Sequence, residues 1–180
     1  VGDVLVLGKP LGVGILSAAL KKQKLDVEGY ASMIANTTKL NTAGPDLAEL
    51  PGVHALTDVT GFGLAGHLLE IARGANLTAH IQWADVPLLP NVSGLLKDGH
   101  VTGASGRNWE GYGQEINLAK NLPAECQALL SDPQTSGGLM VSCAPDSVAD
   151  VLAVFQRHGF SEAAVVGHMG QVQSSRLMVS

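Results

Sequence analysis

Cysteine, aromatic side chains and charge are all scarce in this 180-residue chain. Its two cysteines, Cys126 and Cys143, are too few for a disulfide scaffold. Each lies in an apolar run, Leu122 to Leu130 and Leu139 to Ala144, so both read as buried free thiols that suit a reducing cytoplasm. Aromatics make up only 4% of a chain that is 46% hydrophobic, so the core has to be aliphatic. A net charge of −5 excludes the basic face that a nucleic-acid backbone requires. No stretch approaches the roughly 18 uninterrupted apolar residues of a membrane span. No charged leader with a cleavage site appears either, and the expected compartment is the cytoplasm.

The 22 glycines are what the chain has in excess, and they imply many turns. A chain of 180 residues can form one domain burying roughly 70% of its unfolded surface. The opening on Val1, running almost at once into a strand, suggests a piece of something longer.

Val4 to Leu7 reads as a buried strand. A helix through Leu16, Ala19 and Leu20 ends among lysines, and Asp26 is placed to cap a second one. A short helix is expected around 47–50, then a strand at 53–56. Leu64, Leu68, Ile71 and Ala72 share a helical face, with Gly74 positioned as a left-handed cap. Alternation over 77–81 gives a half-buried strand, while 88–96 is ambiguous. Residues 99–114 carry five glycines and little apolar periodicity, and read as a long mobile loop. Strands are expected near 129–130, 139–143, 163–166 and 176–179, with a helix over 148–155 closed by Gly159. No repeat or low-complexity tract interrupts this α+β order.

The most informative segment is Thr57-Asp58-Val59-Thr60-Gly61-Phe62-Gly63-Leu64-Ala65-Gly66-His67. It sets one carboxylate between an apolar run and a glycine-punctuated turn that opens a helix. A carboxylate there can hold a divalent cation such as Mg²⁺, and turn amides at a helix N-terminus favour phosphate oxygens. Asp58 is therefore the candidate metal ligand, and Thr57, Thr60, Gly61 and Gly63 are candidate nucleotide contacts. The bland alternative is that Asp58 and Thr60 simply start the helix. His54 and His67, thirteen residues apart, have no metal-ligand spacing, and His67 reads as a structural histidine. A second polar turn, Asp132-Pro133-Gln134-Thr135-Ser136-Gly137-Gly138, reads either as a cleft wall or as a structural loop. Ser136 lacks the elbow of a nucleophilic serine. Lys9 is either a ligand contact or solvated surface.

Three stretches together resemble one family. They are Gly2-Asp3 with Lys9 to Ile15, His54 to Gly63 with Gly66-His67, and Leu130 to Leu139. They lie in the order found in the C-terminal domain of the selenophosphate synthetases (selenide, water dikinases), within the aminoimidazole-ribonucleotide-synthetase superfamily. The resemblance implies a curved mixed or antiparallel sheet covered by helices, in one domain spanning 1–180. It implies Mg²⁺ and ATP as cofactors, selenide as co-substrate, and the chain's own N-terminal domain as partner in a homodimeric enzyme. It also implies that Asp58 completes a metal cluster begun on that domain, and that Arg107 to Trp109 border the cleft. No catalytic residue is expected here, because the nucleophilic Cys or selenocysteine and its Lys belong to the N-terminal region. Related enzymes such as thiamine-monophosphate kinase, hydrogenase maturation factor or a purine synthetase are the rivals. A non-catalytic module is a further one.

Overall fold

The computed structural model describes residues 1–180. Seven strands form one mixed sheet: β1 (Val4–Leu7), β2 (Val53–Asp58), β3 (Thr78–Ile81), β4 (Ile116–Leu118), β5 (Leu139–Cys143), β6 (Ala164–Gly170) and β7 (Leu177–Val179). Across the sheet the order is β2-β5-β1-β6-β3-β7-β4. The contacts β2–β5, β5–β1, β1–β6 and β6–β3 are antiparallel, while β7 pairs in parallel with β3 and β4. Eight helices pack around it: α1 (Val13–Lys21), α2 (Val27–Thr38), α3 (Gly44–Ala48), α4 (Gly63–Ala75), α5 (Val92–Lys97), α6 (Gly103–Tyr112), α7 (Cys126–Leu130) and α8 (Val148–Arg157).

The alternation of strand side chains divides the core in two. Leu5, Leu7, Met140, Val166, Ile81 and Leu177 face a large cluster completed by α1, α4 and α7. Val6, Val141 and Cys143 point the other way, against Leu47 of α3 and Val151 and Phe155 of α8. β1 is therefore covered on both faces, which is why it reads as an unbroken apolar run. As expected from the scarcity of aromatics, the fully buried side chains are nearly all aliphatic.

Several expectations need correction. Residues 103–112 are a helix and not a loop. Thr102 caps it by accepting the Ser105 amide at 3.2 Å, and Ser105 and Tyr112 are buried. Tertiary contacts override the low helix propensity of its glycines. Residues 126–130 are helical, since so short an apolar run cannot by itself distinguish a strand from a buried helix turn. The ambiguous stretch resolves into α5, and β4 carried too few residues to be foreseen. The left-handed end of α4 is Asn76, with φ of 53°, and not Gly74. The strand expected at 53–56 runs on to 58, so Asp58 is its last residue.

Candidate functional site

β2 is an edge strand, paired only to β5, and its final pair is Asp58 with Leu139. Val59 continues the ladder through its amide, which donates to the Gly138 carbonyl at 2.8 Å, and its side chain is fully buried. Thr60, in the turn beyond the strand, is half-buried. The Asp58 carboxylate is exposed and takes part in no hydrogen bond or ion pair.

The four residues that follow form a turn with opposite chemistry on its two sides. The Thr60 carbonyl accepts from the Gly63 and Gln134 amides, both at 3.0 Å. The Gly61 carbonyl accepts from Asn108 Nδ2 at 2.9 Å, and the Phe62 carbonyl accepts from the Tyr112 hydroxyl at 2.6 Å. The amides of Thr60, Gly61 and Phe62 donate to nothing in the fold. All three carbonyls are thus tied inward and all three amides are free. They sit at the N-terminus of the 13-residue helix α4, whose partial positive charge adds to theirs. Such amide concavities bind anions.

The glycines of this turn differ in kind. Gly63 has φ of +70°, and a Cβ on it would meet the Leu130 carbonyl oxygen at 2.7 Å. Gly61 has negative φ and open space where its Cβ would be. Gly63 is therefore a demand of the fold, while Gly61 keeps the outer approach clear. Thr57 is half-buried at the strand end, its hydroxyl near only its neighbour's carbonyl.

The 132–138 loop is the frame of this turn. Gln134 Oε1 accepts the Gly12 and Val13 amides at 3.1 and 3.3 Å, and Asp132 Oδ2 accepts those of Gly14 and Ile15 at 3.0 and 3.3 Å. Gln134 Nε2 returns to Asp132 Oδ2 at 2.9 Å. These two side chains cap α1 from across the molecule, which α1's own N-cap, Gly12, has no side chain to do. Burial outweighs these hydrogen bonds and pushes the Asp132 carboxyl up to about 7. Gly137 passes so close to Val59 that a Cβ would lie 1.7 Å from its carbonyl oxygen. Thr135 and Ser136 face solvent beyond it. The loop is structural along Asp132 to Gln134 and borders the site at 135 and 136.

Lys9 is neither surface nor ligand contact. It is 2% exposed, and its ammonium donates to the carbonyls of Asn36, Lys39 and Ser136 at 3.1, 2.7 and 2.7 Å. Burial, and then the neighbouring Lys39, lower its pKa. Arg107 is exposed on α6, beside a hollow of about 270 Å³ that Phe62, Arg73 and Asn108 also line. Both thiols are buried, and burial pushes Cys126 up to about 12 and raises Cys143 as well, so neither is a nucleophile. His54 bonds Asp3 at 2.8 Å near the start of β2, at the far end of that strand from Asp58.

No group of three or more His, Cys, Asp or Glu side chains gathers anywhere in the chain. A hard cation such as Mg²⁺ takes one or two carboxylates together with phosphate oxygens and water. Asp58, free of other bonds, fits as one such ligand. Asn108 and Tyr112 are the supports that sequence reading missed in this role, because α6 was hidden behind its glycines.

Fold and site together define a class: an α+β domain whose edge strand ends in one free carboxylate beside a turn with three unbonded amides. The chain belongs to the family described as AIR synthase related protein, C-terminal domain, whose sequence model matches residues 1–180. It is 66% identical over 168 residues to the selenide, water dikinase of Paraburkholderia xenovorans (strain LB400), covering 93% of this chain and 48% of the relative. The selenide, water dikinase of Dechloromonas aromatica (strain RCB) is 55% identical over 94% of this chain and 49% of its own length. The chain thus spans about half the length of the curated relatives it matches. Among solved structures, E. coli HypE superposes with a TM-score of 0.69 at 24% identity, over 98% of this chain and 46% of that one. Thiamine-monophosphate kinase from Stenotrophomonas maltophilia K279a gives 0.64 at 16% identity, over 100% and 50%. Those two likenesses establish the shared fold. No helix is long and apolar enough to cross a membrane.

Proposed function

We propose that this chain is the C-terminal domain of a selenide, water dikinase, which makes selenophosphate, AMP and orthophosphate from selenide and ATP. The carrying observation is the turn at 58–63, where a carboxylate without partners adjoins three amides without acceptors. Identity of 66% to a dikinase, against 24% to HypE and 16% to thiamine-monophosphate kinase, favours the selenium enzyme over its superfamily rivals. A HypE of the same fold has been seen in complex with ATP, at 22% identity.

In this reading Asp58 is one metal ligand, and the Thr60, Gly61 and Phe62 amides take polyphosphate oxygens. Phosphoryl transfer depends mainly on positioning and on neutralising charge, and bound Mg²⁺ would supply much of the neutralisation. The lone carboxylate fits a site shared between two domains, with the other ligands and the nucleophile on an N-terminal domain of the same enzyme. Thr57 and Gly63 then act by holding the turn's ends. The parent enzyme is read as a cytoplasmic homodimer joined chiefly through that other domain.

The test is selenide-dependent AMP release by a full-length enzyme whose C-terminal half is this chain. Asp58→Asn is expected to lower turnover by about 100-fold or more, in line with loss of a charge-stabilising group. The 180 residues alone are expected to release no AMP. Undiminished turnover and cation affinity in the variant would falsify the proposal.

A further inference from the structure

His67 is 6% exposed, and both its ring nitrogens are engaged. Nδ1 lies 3.1 Å from Glu70 Oε2, and Nε2 lies 3.1 Å from Thr60 Oγ1. A carboxylate only accepts, so the Glu70 contact requires the proton of a neutral imidazole to sit on Nδ1. Nε2 is then bare and accepts the Thr60 hydroxyl proton. With that proton turned inward, Thr60 Oγ1 presents only lone pairs to the outside.

This matters because of what stands beside it. Thr60, half-buried, stands in the turn two residues beyond the exposed Asp58 carboxylate, with the fully buried Val59 between them. The amides of 60–62 already supply the donors that an anion needs. A hydroxyl that offers lone pairs is a poor partner for a phosphate oxygen and a good one for a hard cation. We infer that Glu70 and His67 are positioning residues that set Thr60 Oγ1 as a second oxygen ligand for the cation at Asp58, leaving the polyphosphate to the amides. The inference rests on the reading of 58–63 as a metal and polyphosphate site and assigns the separate parts of that turn.

The probes are tripolyphosphate alone and tripolyphosphate with Mn²⁺, a paramagnetic stand-in for Mg²⁺, followed by NMR of the turn amides. Thr60→Val is expected to weaken Mn²⁺–tripolyphosphate binding by about tenfold, the scale of lost support at a metal site. It should leave binding of metal-free tripolyphosphate unchanged. Thr60→Ser should restore the metal-bound affinity. His67→Leu should behave as Thr60→Val, while His67→Gln, whose amide oxygen can take the hydroxyl proton, should keep most of the affinity. An equal fall in metal-free affinity in Thr60→Val would make the hydroxyl an anion donor and overturn the inference. So would a wild-type imidazole spectrum with the proton on Nε2, whatever the variants do. If Asp58→Asn abolishes metal-dependent binding and Thr60→Val does not, the relay fails and the site reading stands. If wild type binds neither probe at the turn, or Asp58→Asn changes nothing, the site reading itself fails.

Discussion

Two aspartates show how position decides the work of a side chain. Asp58 and Asp132 are both carboxylates next to helix N-termini, yet one is open to solvent and the other is 0% exposed. Burial holds the folded Asp132 pKa at about 7, above its unfolded value near 4. Its contribution to stability is therefore fully present below pH 4 and is lost as pH rises through about 7. Asp132→Asn keeps an oxygen for the Gly14 and Ile15 amides and removes the titration. Denaturant unfolding of both proteins from pH 4 to 8 should show a difference that changes across this window by up to about 4 kcal/mol. A constant difference between them would refute the assignment. The two turn glycines part in a similar way. Gly63→Ala should cost about 2–4 kcal/mol through its positive φ and the Leu130 carbonyl, while Gly61→Ala should stay within about 0.5 kcal/mol. Melting curves of the two variants check this, and a binding defect in Gly61→Ala would then report on ligand approach.

At the scale of elements, α6 is the surprise. Its two side-chain donors, Asn108 Nδ2 and the Tyr112 hydroxyl, hold the carbonyl side of the 60–63 turn. Asn108 also reaches the Ser131 carbonyl at 3.0 Å, so the same helix ties the turn to the end of α7. Burial raises the Tyr112 pKa, which keeps its hydroxyl a donor. Tyr112→Phe removes one bond of about 1 kcal/mol, a shift of roughly 2–4 °C in melting temperature for a chain of this size. Hydrogen exchange at the Gly63 amide, which donates to the Thr60 carbonyl, should quicken more than exchange elsewhere in α4. Uniform acceleration through α4 would mean that the hydroxyl only packs the helix and does not hold the turn. Glycine content made this helix look like a loop, because propensity is a weak prior against a cap and two tertiary anchors.

For the molecule as a whole, the sheet is assembled from distant pieces of chain. β1 lies inside it between β5 and β6, both more than 130 residues further along. β7, the final strand, sits between β3 and β4 with Leu177 and Val179 buried. The strand expected at 176–179 is thus interior to the sheet. Deleting residues 176–180 removes two side chains worth roughly 2 kcal/mol each in burial, and separates β4 from the sheet. The expected outcome is loss of the cooperative thermal transition seen by circular dichroism. A truncated chain that melts as sharply as the parent would contradict the strand order.

The sequence alone determined the class of fold and the strands at 4–7, 53–56 and 139–143, because those depend on local periodicity, and it singled out the carboxylate beside a glycine turn on which the proposed site rests. It also identified both thiols as buried, since an apolar run leaves a cysteine few other places. Only the tertiary structure decided that Lys9 satisfies three carbonyls, that Asp132 and Gln134 cap a helix 117 to 122 residues away, and that α6 holds the turn. The reason is physical: periodicity reports which face of an element is buried, whereas the partner of a buried polar group is chosen by chain segments that meet only once the sheet has closed.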